Sequence, residues 1–387
     1  MTSPELSRRT LLKGGGATLA SLGVLRLTGP AHAFQTPVAG EVIPWLDVPE
    51  PNPVPDVIVR QLDWEGLDTW LTPTDQFFAI KHFNEPALDE ATWKLEIAGL
   101  VRNPRTLTLA DLMTRPRQEV TFTMECSGNT GLPFFNGGIG NARWAGTPLA
   151  PLLEEAGVLD DGIEVVFWGA DAGDQVRGEV TITEHFARSM SLPDAMAPEN
   201  LLVWEMNGAP LESIHGYPLR LIAPGWYGIA NVKWLTRIEV RDARYQGHFM
   251  ARDYVTIREE EHDGETVWTF TSVSRDRLKS APAKLMRDGD ACIVMGAAWG
   301  APIAGVDVRI DDGAWMPATL TERTEDDYAW VFWTFAWDAP NPGEHTVTSR
   351  ATDIDGNVQP APDDPLLTGK TTYWESNGHI TRRVLIP

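Results

Sequence analysis

From residue 276 to the C terminus the chain is written in short apolar or alternating runs cut by Gly, Pro and Asp. That punctuation admits little other than paired antiparallel strands. Ala291-Cys292-Ile293-Val294-Met295 reads as a buried strand. Val306-Asp307-Val308-Arg309-Ile310 alternates apolar with polar, and Asp311-Asp312-Gly313 turns it back as a hairpin. Trp330-Val331-Phe332-Trp333-Thr334-Phe335 and His345-Thr346-Val347-Thr348-Ser349-Arg350-Ala351 supply further strands. A stretch of about 100 residues built this way predicts a β-sandwich. Only two cysteines, Cys126 and Cys292, are present, so no disulfide framework and no Cys-rich zinc or iron–sulfur site can hold the chain together. A packed core must do so, and sixteen Trp residues are there to fill it.

The remainder is of a different kind. At 387 residues the chain is too long for one ordinary core and suits two domains with appendages. Residues 34–60 are Pro-rich (Pro37, Pro44, Pro49, Pro51, Pro53, Pro55) and read as an extended arm on the surface. Residues 61–245 mix short strands with short helices. Thr92-Trp93-Lys94-Leu95-Glu96-Ile97 alternates like a half-buried strand. Leu109-Ala110-Asp111-Leu112-Met113 and Pro148-Leu149-Ala150-Pro151-Leu152-Leu153 read as helices. Residues 246–275, with Arg258-Glu259-Glu260-Glu261, read as a charged, irregular connector. The fold class expected is α+β: a mixed α/β domain over 61–245 followed by an immunoglobulin-like sandwich over 276–387.

The N terminus reads as an address covering residues 1–33. Ser7-Arg8-Arg9-Thr10-Leu11-Leu12-Lys13 is a twin-arginine pattern, Gly14 to Leu27 is mildly apolar, and Ala31-His32-Ala33 is a small-x-small cleavage site. Export by the twin-arginine route, which carries folded proteins, would place the chain in the periplasm and hints at a cofactor inserted beforehand. No stretch is long and apolar enough to predict a membrane span. With 54 acidic against 32 basic residues the formal charge is −22, which disfavours nucleic acid as a partner. An anionic substrate would need a local cationic pocket. No Cys-x-x-Cys-His occurs, so no covalently attached haem is expected.

Two segments carry the candidate chemistry. The strand-like run Thr121-Phe122-Thr123-Met124 ends at Glu125-Cys126-Ser127-Gly128-Asn129, which presents a cysteine on a turn with exposed backbone donors. A free Cys is most often a buried structural thiol, and Cys292, inside an apolar run, reads that way. A nucleophile paired with a histidine is a second possibility for Cys126, although no Cys-protease signature surrounds it. The second segment runs Glu205-Met206-Asn207-Gly208, His215-Gly216-Tyr217-Pro218-Leu219-Arg220, Pro224-Gly225-Trp226-Tyr227-Gly228 and Asn231-Val232-Lys233-Trp234. It offers three cations, His215, Arg220 and Lys233, among glycines that allow close backbone approach, a combination able to grip phosphate. Solvated surface residues would give the same pattern.

Taken together these motifs resemble the sulfite oxidase family of molybdenum-cofactor enzymes, from about Thr72 to the C terminus. Glu125-Cys126-Ser127-Gly128-Asn129 matches the motif whose Cys binds molybdenum. Met206-Asn207-Gly208, His215 to Arg220, Pro224-Gly225 and Val232-Lys233-Trp234-Leu235 match a second hallmark. Ala142-Arg143-Trp144-Ala145-Gly146 and Asn357-Val358-Gln359-Pro360 match a third and fourth. The resemblance implies a molybdenum–molybdopterin cofactor, with Cys126 as the thiolate on the metal and His82, His215, Arg220 and Lys233 as cofactor contacts. It makes Tyr254 the active-site tyrosine. It also implies a C-terminal dimerisation domain, hence a homodimer. Since no haem domain is fused, electrons would pass to a separate carrier, a c-type cytochrome.

The substrate half of the resemblance is altered. The family's sulfite-binding Arg in Phe-Phe-x-Arg-Asn-His falls on Ile80. The basic residues that follow the Cys motif are Thr130 and Gly131, and a late Arg falls near Lys370 to Thr372. The activity expected by family is oxidation of sulfite to sulfate. The alternative is the same cofactor acting on a neutral or bulkier sulfur or oxo substrate, which Ile80 favours because it cannot offset the desolvation of an anion.

Overall fold

The structure is a computed structural model describing residues 40–321, 326–338 and 340–387. The expected signal peptide lies outside the described residues. Among the described residues, two five-stranded sheets build most of the N-terminal half, beside a two-stranded pairing of Ile58–Arg60 with Ala79–Ile80. In the first, Gln118–Glu125 pairs with Ile139–Pro148, which pairs with Leu201–Met206; Ala209–Pro210 and Arg220–Ile222 also pair with that last strand, and every pairing is antiparallel. In the second, the order is Arg105–Leu107, Leu95–Gly99, Leu235–Arg241, Glu164–Arg177, Val180–Ser191, with Leu235–Arg241 parallel to Leu95–Gly99 and antiparallel to Glu164–Arg177. The alternation expected at 92–97 holds, with Trp93, Leu95 and Ile97 buried and Lys94 and Glu96 exposed, although the strand itself begins only at Leu95. Leu95 and Ile97 are fully buried in strand Leu95–Gly99, and Thr92 lies in the preceding turn.

Both expected helices form. Leu109–Met113 starts at Thr108, whose hydroxyl accepts from the Asp111 backbone N–H while the Asp111 carboxylate accepts from the Thr108 N–H. Leu149–Ala156 follows Pro148 and ends at Gly157, whose φ of 69° needs a residue without Cβ. Leu149, Leu152, Leu153 and Ala156 form its fully buried face and pack into a core shared with Leu95, Ile97, Phe167, Leu235 and Ile238.

The C-terminal region consists of strands, as its punctuation predicts. One sheet has the order Glu41–Ile43, Lys279–Asp288, Ala291–Trp299, Val331–Trp337, Thr319–Leu320; another has Met316–Pro317, Ile303–Ile310, Gly343–Asp353, Ile380–Ile386. Their apolar faces share one core, with Leu285, Val294 and Phe335 from the first and Val306, Val308, Val347 and Val384 from the second. The expected hairpin at 306–313 is present, with Val308 paired to Met316 and Asp311 at φ 51° in the turn.

Two readings are corrected. The arm over 34–60 is not confined to the surface. Glu41–Ile43 adds a strand to the C-terminal sheet, and Trp45, only 3% exposed, donates its indole N–H to the Ala283 carbonyl at 2.9 Å. Proline punctuation masked a short apolar edge. The connector over 246–275 is also not irregular. It holds a one-turn helix, His248–Ala251, and a hairpin, Val255–His262 with Glu265–Ser272, closed by Asp263 (φ 53°) and Gly264 (φ 84°). An Asp-Gly pair with both residues left-handed is a favoured two-residue hairpin turn, and the charge run obscured it.

Candidate active site

All six residues singled out from the sequence, His82, Cys126, His215, Arg220, Lys233 and Tyr254, line one cavity. They arrive from four separate parts of the chain. Cys126 sits just past the end of strand Gln118–Glu125. Its N–H donates to the Gly138 carbonyl at 2.7 Å and its carbonyl accepts from the Asn129 N–H at 2.9 Å, which closes the turn. Beneath the turn, Glu125 is completely buried. It accepts from the Lys279 ammonium at 2.6 Å, the Trp299 indole at 2.9 Å and the Asn129 amide at 2.9 Å. The Asn129 amide oxygen in turn accepts from the Gly138 N–H at 2.9 Å. The cysteine turn is therefore bolted to the first strand of the C-terminal region.

Cys126 is 8% exposed and its sulfur meets the cavity. Burial, which disfavours the thiolate, pushes the thiol up to about 12. The N–H groups of Gly128 and Asn129 and the charge of Lys279 oppose that shift, and the Glu125 charge adds to it. Without a metal the side chain is a thiol, so its chemistry is that of a ligand which ionises on binding and not of a poised nucleophile. The nucleophile reading therefore has no support here. Cys292 is buried within strand Ala291–Trp299, as expected.

The basic residues line the same cavity. Arg220 is buried; it donates to the carbonyls of His215 at 2.9 Å and Asn231 at 3.0 Å, and its Nε has no partner. The Lys233 ammonium donates to the carbonyls of Ile80 at 2.8 Å and Ile214 at 2.9 Å. His215 Nε2 donates to the Thr74 carbonyl at 3.2 Å. Gly216, at φ 107°, brings the backbone so close that a Cβ there would stand 3.0 Å from the Lys233 Cβ. Desolvation lowers all three groups, joined by repulsion from neighbouring cations for His215, to about 3, and Lys233, to about 7, while burial alone takes Arg220 to about 9. Asp171 lines the same cavity, with one carboxylate oxygen unpartnered, and burial lifts it to about 6. Arg220 and Lys233, held by carbonyls, with neutral His215 beside them and the Arg220 Nε without a hydrogen-bond partner, offer donors to an anionic group.

His82 and Tyr254 face each other across the wall, with Nε2 and Oη 2.6 Å apart. Burial, reinforced by the charges of Lys233, Arg188 and His248, holds the His82 imidazole down at about 3, and burial raises the Tyr254 phenol well above its usual value. Both are therefore neutral at pH 7 and share one hydrogen bond. Phe186 stacks on the imidazole at 5.0 Å, and Trp374 stacks on the Tyr254 ring at 4.1 Å. Ile80 lines the cavity, as the altered motif implies.

The model of the oxidoreductase molybdopterin binding domain matches residues 82–249. Sulfite oxidase of Arabidopsis thaliana is 30% identical over 336 residues, which cover 76% of this chain and 83% of that protein. The chain belongs to the sulfite oxidase family. The mitochondrial sulfite oxidase of Homo sapiens is 34% identical over 325 residues, covering 76% of this chain and 58% of its own. That of Drosophila melanogaster is 31% identical, with 56% of its length covered, so the matched stretch is little more than half of these animal relatives. Among solved structures, the sulfane dehydrogenase SoxCD from Paracoccus pantotrophus superposes with a TM-score of 0.73 at 27% identity, over 96% of each chain. The family is one of molybdopterin-dependent oxidoreductases, and the site fits that cofactor. The unpartnered Arg220 Nε and the crowded His215, Arg220 and Lys233 await an anion such as the pterin phosphate, and the only cysteine sulfur in the cavity is that of Cys126.

Several contributors escaped sequence reading. Glu125 stood inside a motif whose cysteine drew the attention, and Lys279 is 154 positions from it in sequence. Asp171, Phe186 and Arg188 lie on long strands with no local motif, and Trp374 follows the segment where the family's late Arg falls. Lys370, within that segment, donates to the Trp374 carbonyl at 2.6 Å and does not line the cavity.

Proposed function

We propose that this chain is a periplasmic molybdopterin-dependent dehydrogenase of reduced sulfur compounds, and that its pocket favours a neutral or bulkier sulfur substrate over sulfite. The observation that carries it is the convergence of His82, Cys126, His215, Arg220, Lys233 and Tyr254 on one cavity with Ile80 in its wall. Sulfite is the substrate expected from the family. An enclosed site for that anion needs fixed charged donors, and Ile80 supplies none. Lys81 and Lys233 also line the cavity, but the Lys233 ammonium is engaged by the Ile80 and Ile214 carbonyls and, with Arg220, suits a phosphate. The similarity to a sulfane dehydrogenase over 96% of both chains points the same way.

The roles are those that the family resemblance assigns, and the shared cavity is consistent with them. The cofactor, when bound, supplies a two-electron acceptor and an oxygen-atom donor. Cys126 would ionise and hold the metal, His215, Arg220 and Lys233 would hold the phosphate, and His82 would contact the cofactor. Tyr254 presents a neutral hydroxyl, oriented by His82, to the oxygen that moves or to the incoming substrate. Electrons pass to a c-type cytochrome. The C-terminal strands over 276–387 form an immunoglobulin-like domain that pairs two copies, and the twin-arginine leader delivers the folded, loaded enzyme.

The test is a substrate screen on purified protein loaded with molybdenum, with an artificial acceptor, comparing sulfite and thiosulfate as anions with uncharged thioethers and sulfoxides. A higher kcat/KM for an uncharged sulfur compound than for sulfite is expected. Preference for sulfite restores the family substrate, and protein that takes up no molybdenum in a cofactor-competent host overturns the enzyme reading altogether.

A further inference from the structure

Tyr254 has a backbone φ of 58°, in the left-handed region that a bulky residue adopts only when its surroundings enforce it. What enforces it is visible. The Tyr254 carbonyl accepts from the Val273 N–H at 2.8 Å, which ties it to the hairpin strand that returns beside it. On the other flank the short helix His248–Ala251 carries Phe249, whose ring packs against His82 at 4.9 Å. One side chain spans both flanks. Arg188, on strand Val180–Ser191, is 2% exposed; one Nη donates to the Phe249 carbonyl and the other to the Val273 carbonyl.

We propose that Arg188 is a positioning residue for Tyr254, a fork that fixes the two backbone segments on either side of it and so sets where the phenol stands relative to Cys126 and His82. The chemistry of the residue fits the task. A guanidinium offers two parallel donors in a rigid plane and can bridge two carbonyls, which a single ammonium on a flexible stem cannot do with the same geometry. Its hydrogen-bond partners are carbonyls, and its Nε has none, so the charge is buried for what it holds in place rather than for an ion pair. It also stands close enough to His82 for its charge to help keep that imidazole neutral. The activity arm of the test rests on the proposed function; the exchange arm does not.

The experiment is a double-mutant cycle. Arg188→Lys and Arg188→Gln are made in the wild-type chain and in Tyr254→Phe, all as full-length protein loaded with molybdenum, with metal content and melting temperature recorded. Turnover of whichever sulfur compound the screen identifies is followed. In the wild-type background kcat is expected to fall at least tenfold with KM changed less than threefold; in the Tyr254→Phe background the same substitutions cost less than threefold further. Amide exchange is read independently of activity, and peptides covering 249–256 and 270–273 are expected to exchange faster in both Arg188 variants. Losses that multiply in the double variants, or unchanged exchange over those peptides, overturn the proposal. So does failure of both Arg188 variants to fold while Tyr254→Phe folds, because a residue that only positions Tyr254 is dispensable for folding.

Discussion

The Lys279 ammonium lies 2.6 Å from the Glu125 carboxylate, and neither side chain is exposed at all. The pair joins the cysteine turn to a strand of the C-terminal region, and the Trp299 indole and Asn129 amide satisfy the remaining carboxylate valences. A buried pair this well satisfied adds little net stability over an apolar replacement, but removing one partner strands the other charge. Lys279→Met is therefore expected to destabilise the protein by ~3–5 kcal/mol. Urea unfolding of the cofactor-free protein measures this. Molybdenum occupancy should fall in parallel, because Cys126 is the next residue along from the stranded carboxylate. A loss below about 1 kcal/mol would show that the pair carries no more than a surface bridge does.

Cys126 should behave as a dormant thiol until the metal arrives. With burial pushing it up to about 12, the thiolate fraction at pH 7 is negligible. Cofactor-free protein is thus expected to react with iodoacetamide far more slowly than a free thiol with a pKa of about 8.5. Cys126→Ser should abolish turnover and remove the thiolate-to-metal absorption of the loaded enzyme. Retained activity in that variant would mean the cysteine is not the ligand.

Where motifs were contiguous, the sequence sufficed. Glu125 to Asn129, His215 to Arg220 and Lys233 each carry their geometry locally, through a tight turn or a glycine, and the structure brings all three to one cavity. Strand alternation at Val306 and Val308 and the Asp311 turn were legible for the same reason. What escaped depends on partners distant in the chain. Nothing near Lys279 says that it meets Glu125, and nothing near Arg188 says that it reaches Phe249 and Val273. The burial of Trp45 follows from a pairing of Glu41–Ile43 with a strand over 230 positions away, a distance at which local patterns carry no information.

Ile80 is a natural place to test how the pocket chooses its substrate. Its carbonyl accepts from Lys233, and its side chain lines the cavity. Ile80→Arg would return a guanidinium to the position where the family holds sulfite. A hydrogen bond to a charged group contributes ~1.5–3 kcal/mol, so KM for sulfite should fall by roughly 10- to 100-fold. Activity toward an uncharged sulfur compound should decline or stay level. An unchanged sulfite KM in a folded, molybdenum-loaded variant would show that this pocket recognises its substrate by other contacts.

The cofactor-free protein should lose stability in acid, and groups in this cavity contribute to that loss. His82 and His215 sit at about 3 when folded, against an ordinary 6.5. Between those values the unfolded chain binds protons that the folded chain refuses, so stability falls as pH drops from 6.5 towards 3. Lys233 is lowered to about 7 from 10.5. From about 7 to 10.5 the unfolded chain again holds the extra proton, so stability from this group rises with pH across that window and its burden is full below it. Melting curves of His215→Gln and Lys233→Met against wild type, from pH 4 to 10, isolate these contributions from the many surface carboxylates. His215→Gln should gain on wild type as pH falls below 6.5, and Lys233→Met should gain most below pH 7 and least near pH 10. Parallel curves at every pH would mean that these side chains are solvated and that the cavity does not crowd its cations.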